Sequence, residues 1–139
     1  MAIFTMTDAT VIVNGVTLSD HSNHVTVDDL REKKDITAFG AVNRAYTKGL
    51  GDANMTIKFF QDFAGGKTHA TLQPLISSIT GVSIEVRATS AARSATNPAA
   101  LMTGLLYNYQ MLDGDVGEPC EITAEFSNAA QAGITYPTA

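Results

Sequence analysis

The stretch that decides the fold class reads Thr10-Val11-Ile12-Val13-Asn14-Gly15-Val16-Thr17-Leu18. Mostly β-branched residues flank an Asn-Gly dipeptide, and both residues of that dipeptide readily adopt the positive φ angles that a two-residue hairpin turn needs. The stretch therefore predicts a β-hairpin at the start of a strand-rich protein.

Two further strands are predicted on either side of a glycine-rich segment. His24–Val27 alternates polar and apolar side chains, and the run continues through Leu30 into the charged stretch Arg31–Asp35. Ala53–Phe59 alternates in the same way. Between them, Ile36–Asp52 lacks periodicity, which predicts a long loop of the kind that usually has a function. The strands on its two sides could pair as a long hairpin.

The second half of the chain predicts one helix and several more strands. Leu72, Leu75, Ile76 and Ile79 recur at helical spacing, which predicts one short α-helix near 68–80 with Pro74 in its first turn. The remaining predicted strands are Val82–Arg87, Leu101–Leu112, Cys120–Ser127 and a short one around Ile134–Tyr136. About seven strands with one helix indicate a mostly β fold, a β-sandwich or partial barrel, as a single domain over residues 1–139.

Composition excludes several classes of function. Nine basic and fourteen acidic residues give a net charge of −5, which disfavours a basic groove that binds DNA tightly. Cys120 is the only cysteine, so an internal disulfide and a cysteine-rich zinc site are excluded. No apolar stretch approaches the ~18 residues of a membrane helix, so no membrane partner is expected.

The sequence lacks the motifs of common catalytic sites. It has no Gly-x-Ser-x-Gly, no Walker A loop and no His-Glu-x-x-His. His21 and His24 beside Asp20 are the one hint of a metal site, but an i, i+3 pair across a turn and a strand start directs its rings differently. We therefore expect no catalytic residue, metal or cofactor, and a structural protein that assembles with copies of itself.

Five short motifs follow one another along the chain. They are Asn14-Gly15-Val16-Thr17-Leu18-Ser19-Asp20-His21, Gln61-Asp62-Phe63-Ala64, Thr71-Leu72-Gln73-Pro74-Leu75-Ile76, Val82-Ser83-Ile84-Glu85-Val86-Arg87 and Thr96-Asn97-Pro98. In this order they resemble the major tail tube proteins of long-tailed, non-contractile bacteriophages. The long loop and the single helix also fall where that family has them.

The resemblance implies a virion protein whose hexameric rings stack head to tail into the tail tube. Double-stranded DNA would pass through the tube during ejection, and the tape measure and tail terminator proteins would be further partners. Assembly would take place in the cytoplasm of the host bacterium. Six copies would carry a charge of about −30, which would keep DNA from adhering to the channel wall.

Two sets of residues are candidates for these roles. The long loop and its flanks are the predicted contact with the neighbouring ring or subunit, and polar strand faces are the predicted channel lining. The contact candidates are Arg31, Lys33, Lys34, Asp35, Phe39, Arg44, Tyr46, Lys48 and Asp52, and the lumen-facing candidates are Thr26, Asp28, Glu121, Thr123 and Glu125.

Two alternative functions stay open at this point. A capsid decoration or tail-completion protein would also use a sandwich with protruding loops. A ligand-binding or adhesion module could share the fold, because fold alone does not determine function. Such a module would be expected to expose aromatic residues in a cleft, and the chain has no tryptophan.

Overall fold

In the computed structural model, which describes residues 3–139, the chain forms one antiparallel sheet of seven strands and one short α-helix. The strands are β1 (Thr10–Val13), β2 (Val16–Thr17), β3 (Ser22–Asp35), β4 (Tyr46–Phe60), β5 (Val82–Arg87), β6 (Ala99–Tyr109) and β7 (Glu121–Asn128), and the helix is α1 (Thr68–Leu72). Short 3-10 helices span Ser19–His21 and Gln73–Leu75. None of the helices in residues 3–139 has the length and hydrophobicity that a membrane-spanning helix requires.

The predicted opening hairpin is confirmed. Val13 of β1 pairs with Val16 of β2, and the turn between them places Asn14 at φ 50° and Gly15 at φ 79°. Two successive positive φ angles are the signature of the turn whose twist matches the strands, which is why Asn-Gly is found there.

The strand order is β2-β1-β5-β6-β7-β4-β3, and the sheet does not close, because β2 and β3 form its two edges. It curves enough that Val25 and Val27 of β3 line a groove shared with Val86 of β5. One open, curved sheet confirms the mostly β prediction in its partial-barrel form. The core lies on the concave face, and its largest fully buried side chains include Phe59, Phe126, Met55 and Ile57.

The predicted loop over Ile36–Asp52 is shorter than expected, because Tyr46–Asp52 belongs to β4 and only residues 36–45 connect the strands. Pairing runs from Ser22 opposite Phe59 to Asp35 opposite Tyr46, so the predicted long hairpin is present. Alternation is a signal of one-sided burial, and this part of β4 has no buried side. Strand pairing without burial therefore left no periodic pattern in the sequence.

The predicted helix near 68–80 is also shorter in the structure. α1 ends at Leu72 and continues as a 3-10 turn to Leu75. Pro74 has no N–H to donate to a preceding carbonyl, so the α-helical hydrogen-bond pattern stops there. Leu72 and Leu75 enter the core, but Ile79 is 93% exposed, so the apolar stripe does not continue.

Candidate assembly surfaces

A two-stranded hairpin projects from the body of the protein, and we call residues 30–52 the arm. Its strands pair from Leu30 opposite Asp52 to Asp35 opposite Tyr46. Between residues 28 and 52 no side chain is buried. At about 3.3 Å per residue, the paired part extends roughly 20 Å beyond the core before the loop begins. The arm therefore contributes nothing to the hydrophobic core.

Local hydrogen bonds order the tip of the arm. Arg44 Nη1 lies 3.2 Å from Asp35 Oδ2, and the Thr37 N–H donates to Asp35 Oδ1 at 2.9 Å. The Ile36 N–H donates to the Ala45 carbonyl at 2.9 Å. Hydrogen bonds from Thr37, and secondarily from Arg44, lower the pKa of Asp35, so this carboxylate stays charged. The tip is a defined structure that can be presented to a partner.

Apolar side chains point into solvent along the arm. Phe39 and Val42 at the tip are almost fully exposed, and Leu50 in β4 is 77% exposed. Ile36 and Tyr46 are exposed as well. Clusters of exposed apolar side chains among charged residues are typical of interaction surfaces.

The arm concentrates the positive charge of the protein. Residues 30–52 hold five of the nine basic residues and three acidic ones, a formal charge of +2. The rest of the chain holds four basic and eleven acidic residues, a formal charge of −7. The chain therefore has a basic arm and an acidic body.

All nine predicted contact residues lie on the arm, and the structure brings them together. Four are in β3, two are in the connecting loop, and three are in β4. These are Arg31, Lys33, Lys34 and Asp35, then Phe39 and Arg44, then Tyr46, Lys48 and Asp52. Lys33 Nζ sits 4.1 Å from the centroid of the Tyr46 ring, so the basic and aromatic side chains share one face. The sequence prediction did not include Leu50 or Val42, whose exposure depends on the arm having no core beneath it.

The predicted lumen-facing residues share the convex face of the sheet, opposite the core. Thr26 pairs with Thr56, which in turn pairs with Glu125. Asp28, Glu121 and Thr123 lie on the same face by strand parity. Lys58 of β4 pairs with Thr123 and lies on the same face. The face is polar and carries more acidic than basic groups.

An acidic loop lies at the opposite end of the sheet from the arm. Residues 110–120 connect β6 to β7, and β7 begins where Glu121 pairs with Phe60, the last residue of β4. Because the arm extends from the other end of β4, the two features lie at opposite ends of the sheet. Residues 111–119 are all exposed, including Leu112 and Val116. Side chains that line a cleft here include Lys58, Asp113, Asp115, Glu118 and Glu121. None of the residues predicted from the sequence as contact or lumen-facing candidates lies in this loop.

His21 bridges two carboxylates near the same end. Its Nδ1 lies 2.8 Å from Asp20 Oδ1, and its Nε2 lies 2.8 Å from Asp62 Oδ2. The bond to Asp20, followed by that to Asp62, raises the pKa of His21. The pKa of Asp62 is lowered, first by the Ala64 N–H and then by His21. This clasp fastens the Ser19–His21 turn to the segment that follows β4.

The clasp does not have the arrangement of a metal site. Both ring nitrogens of His21 are engaged by carboxylates, and the His24 ring is turned to the Thr26 hydroxyl at 3.1 Å. Within residues 3–139 no group of three or more His, Cys, Asp or Glu side chains could hold a metal ion.

Comparison with known proteins gives likenesses of structure, not of sequence. No protein-family model matches the sequence, and no curated protein matches it significantly. A chain in the virion of a native gene transfer agent (GTA) particle has a TM-score of 0.73 at 9% identity, covering 94% of this chain and 95% of that one. A chain in the tail of an empty GTA particle, refined helically with C6 symmetry, has a TM-score of 0.66 at 9% identity, covering 84% and 82%.

A third likeness is to a protein of a phage hub adsorption apparatus. The Dit protein of phage SPP1, from the adsorption apparatus of phages that infect Gram-positive bacteria, has a TM-score of 0.54 at 17% identity, covering 90% of this chain and 51% of that one. At these identities the comparisons show a shared fold, which this chain has in common with chains of GTA particles and with the Dit protein.

Proposed function

We propose that this chain is a non-enzymatic structural protein of a phage-type tail, whose copies form hexameric rings that stack into a tube. On this proposal residues 1–139 act as one tail-tube-like domain in the virion, beside tape measure and tail terminator proteins. The fold supports the proposal, because two of its structural neighbours are chains of GTA particles, one of them a tail with C6 symmetry.

The observation that carries the proposal is the arm. A paired hairpin with Phe39, Val42 and Leu50 exposed is unfavourable in an isolated subunit, because apolar surface stays in water. Contact with a second copy would bury these side chains. A contact that joins different surfaces of identical copies can repeat along an axis, which generates a tube.

An arm-deletion variant tests this role. Replacing residues 32–50 with Asn-Gly keeps Arg31 opposite Gly51 and closes the shortened hairpin with a favourable two-residue turn. We expect the variant to unfold at nearly the same urea concentration as the wild type, because no side chain between residues 28 and 52 is buried. We also expect it to form no tubes by electron microscopy. Normal tubes from a folded variant would refute the assembly role of the arm.

The convex polar face is our candidate for the channel lining. Asp28, Glu121 and Glu125 give it negative charge, which would keep double-stranded DNA moving instead of binding. Changing Asp28 and Glu125 to lysine should leave tubes intact but retain DNA in the channel. Unchanged DNA ejection from particles built with this variant would contradict the assignment.

One second candidate is favoured by a specific observation, the likeness to the Dit hub. In a tail-completion role the rings would form but would not propagate. Electron microscopy of the purified wild-type protein across a concentration series separates the two candidates, because a hub gives single or paired rings and a tube protein gives lengthening filaments.

A further inference from the structure

The subunit is electrically polarised along the strands of its sheet. The arm, with a formal charge of +2 over residues 30–52, extends from one end. The acidic loop, residues 110–120, lies at the other end, as the pairing of Glu121 with Phe60 requires. Its charged residues are Asp113, Asp115 and Glu118, and it contains no basic residue.

The two ends also match in their apolar content. The arm exposes Phe39 and Val42 among its basic residues, and the acidic loop exposes Leu112 and Val116 among its carboxylates. Two surfaces that each combine exposed apolar side chains with charge of opposite sign are complementary in both respects.

From this complementarity we propose that the arm of one copy docks on the acidic loop of the next copy along the tube. The inference rests on the proposed function and names the partner surface and the chemistry of the contact. Lys33 and Lys48 provide the positive charge of the contact, since they are cross-strand partners on one face of the arm. Asp113 and Asp115 provide the negative charge. Phe39 and Val42 are buried against Leu112 and Val116.

The alternative within the same subunit is excluded by geometry. Residues 30–35 pair along their length with residues 46–52, so the arm points away from the body. Its tip cannot reach the β6–β7 connection of its own sheet, which lies beyond the far end of β4. The occupant of the acidic loop is therefore the arm of another copy.

Charge reversal and charge exchange test the contact. The arm variant is Lys33→Glu/Lys48→Glu, the loop variant is Asp113→Lys/Asp115→Lys, and the exchange variant carries all four changes. Each double variant alone should raise the protein concentration at which assembly begins by at least about tenfold, because opposite charges become like charges. The exchange variant, whose net charge equals that of the wild type, should recover most of this loss.

A control variant and a salt series complete the experiment. Asp8→Lys changes a charge beside Ser90, outside both the arm and the acidic loop, so it should leave the assembly concentration within about twofold of the wild type. Raising NaCl from about 50 to about 500 mM should raise that concentration for the wild type, because the Debye length shortens to a few Å. Far-ultraviolet circular dichroism and urea unfolding establish that each variant is folded.

The outcomes separate this inference from the proposed function. Failure of the exchange variant to assemble better than both double variants would overturn the docking contact. Wild-type tubes that are indifferent to salt and to charge reversal would also overturn it, while leaving the tube function standing. Absence of wild-type tubes at every salt concentration would instead count against the proposed function.

Discussion

Lys33 and Lys48 lie directly opposite each other across the two strands of the arm, and Lys33 Nζ stacks 4.1 Å from the centre of the Tyr46 ring. Like charges at a cross-strand position destabilise a strand pair. The ring attracts one of the two ammonium groups but does not remove the repulsion between them. The isolated arm therefore carries an electrostatic cost that an acidic partner would relieve.

The first prediction separates the stability of the arm from its function. Lys48→Glu replaces the repulsive pair with an attractive one, so the arm should be stabilised by about 0.2–1 kcal/mol. Hydrogen exchange of the amides in residues 31–35 and 46–48 should slow in the unassembled protein. Assembly should nevertheless weaken, because the variant arm is less basic. Faster exchange together with normal assembly would contradict the account.

The second prediction compares two glycines of β4. A Cβ at residue 49 would lie 2.9 Å from the Cβ of Glu32, a contact that the strand pair must distort to accommodate. A Cβ at residue 51 would lie 3.3 Å from the guanidinium of Arg31, which is flexible and can move. Gly49→Ala should therefore impair assembly while Gly51→Ala should not.

Body stability should change little in both glycine variants, by less than about 0.5 kcal/mol in urea unfolding, because neither glycine nor its neighbours on the arm are buried. Equal assembly by the two variants, measured by light scattering across a concentration series, would be evidence against a paired arm as the assembling element.

The third prediction concerns the helical segment. Leu72 is fully buried and Ile79 is 93% exposed, although both lie on one face at helical spacing in the sequence. Leu72→Ala should cost about 2–5 kcal/mol of unfolding free energy through lost burial and a cavity. Ile79→Ala should change it by less than about 0.5 kcal/mol. Urea unfolding measures both, and a large effect at Ile79 would mean that the helix extends into the core.

The fourth prediction is a pH dependence at the His21 clasp. The pKa of His21 is raised in the folded protein, so its contribution to stability is complete below the unfolded value near 6.5 and is lost as pH rises through the folded value. The pKa values of Asp20 and Asp62 are lowered, so their contribution is lost at acid pH, as those carboxylates become protonated.

His21→Asn should therefore lower the urea midpoint most near pH 5.5 and least near pH 8.5. If the difference in urea midpoint between variant and wild type is equal at the two pH values, or larger at pH 8.5, then His21 stabilises the clasp without carrying a charge. Asn is the matched replacement because its amide group can donate a hydrogen bond to a carboxylate without titrating.

The sequence alone predicts the parts of this fold that are local or buried on one side. The turn at Asn14-Gly15 was predictable because both residues adopt positive φ, and the strand at Ile122, Ala124 and Phe126 because its alternation reflects burial. Residues 46–52 could not be recognised as strand, since pairing without burial leaves no periodic pattern. The predicted helix was longer than α1 because hydrophobic periodicity does not show that the α-helical hydrogen bonding ends at Pro74.

The candidate surfaces also divide into those that can be predicted from local sequence and those that depend on the topology of the sheet. The nine contact residues of the arm are close in sequence, so a local argument could group them. Thr26 and Glu125 share a face because each pairs with Thr56, which links β3 to β7 through β4. Strand parity shows which residues of one strand lie on the same face, but it does not show which strands are neighbours. The acidic loop around Asp113 was not identified as a candidate surface. Its interest comes from its position at the end of the sheet opposite the arm, and that position follows from the topology of the sheet.

The central claim, that copies of this chain stack through the arm into a hollow tube, is tested most directly by cryo-electron microscopy of the purified wild-type protein assembled at low salt. The account predicts hollow filaments of stacked hexameric rings, with the arm of each subunit, including Phe39 and Val42, in contact with a subunit of the adjacent ring. Monomers at every concentration, or filaments in which the arm remains in solvent, would contradict it.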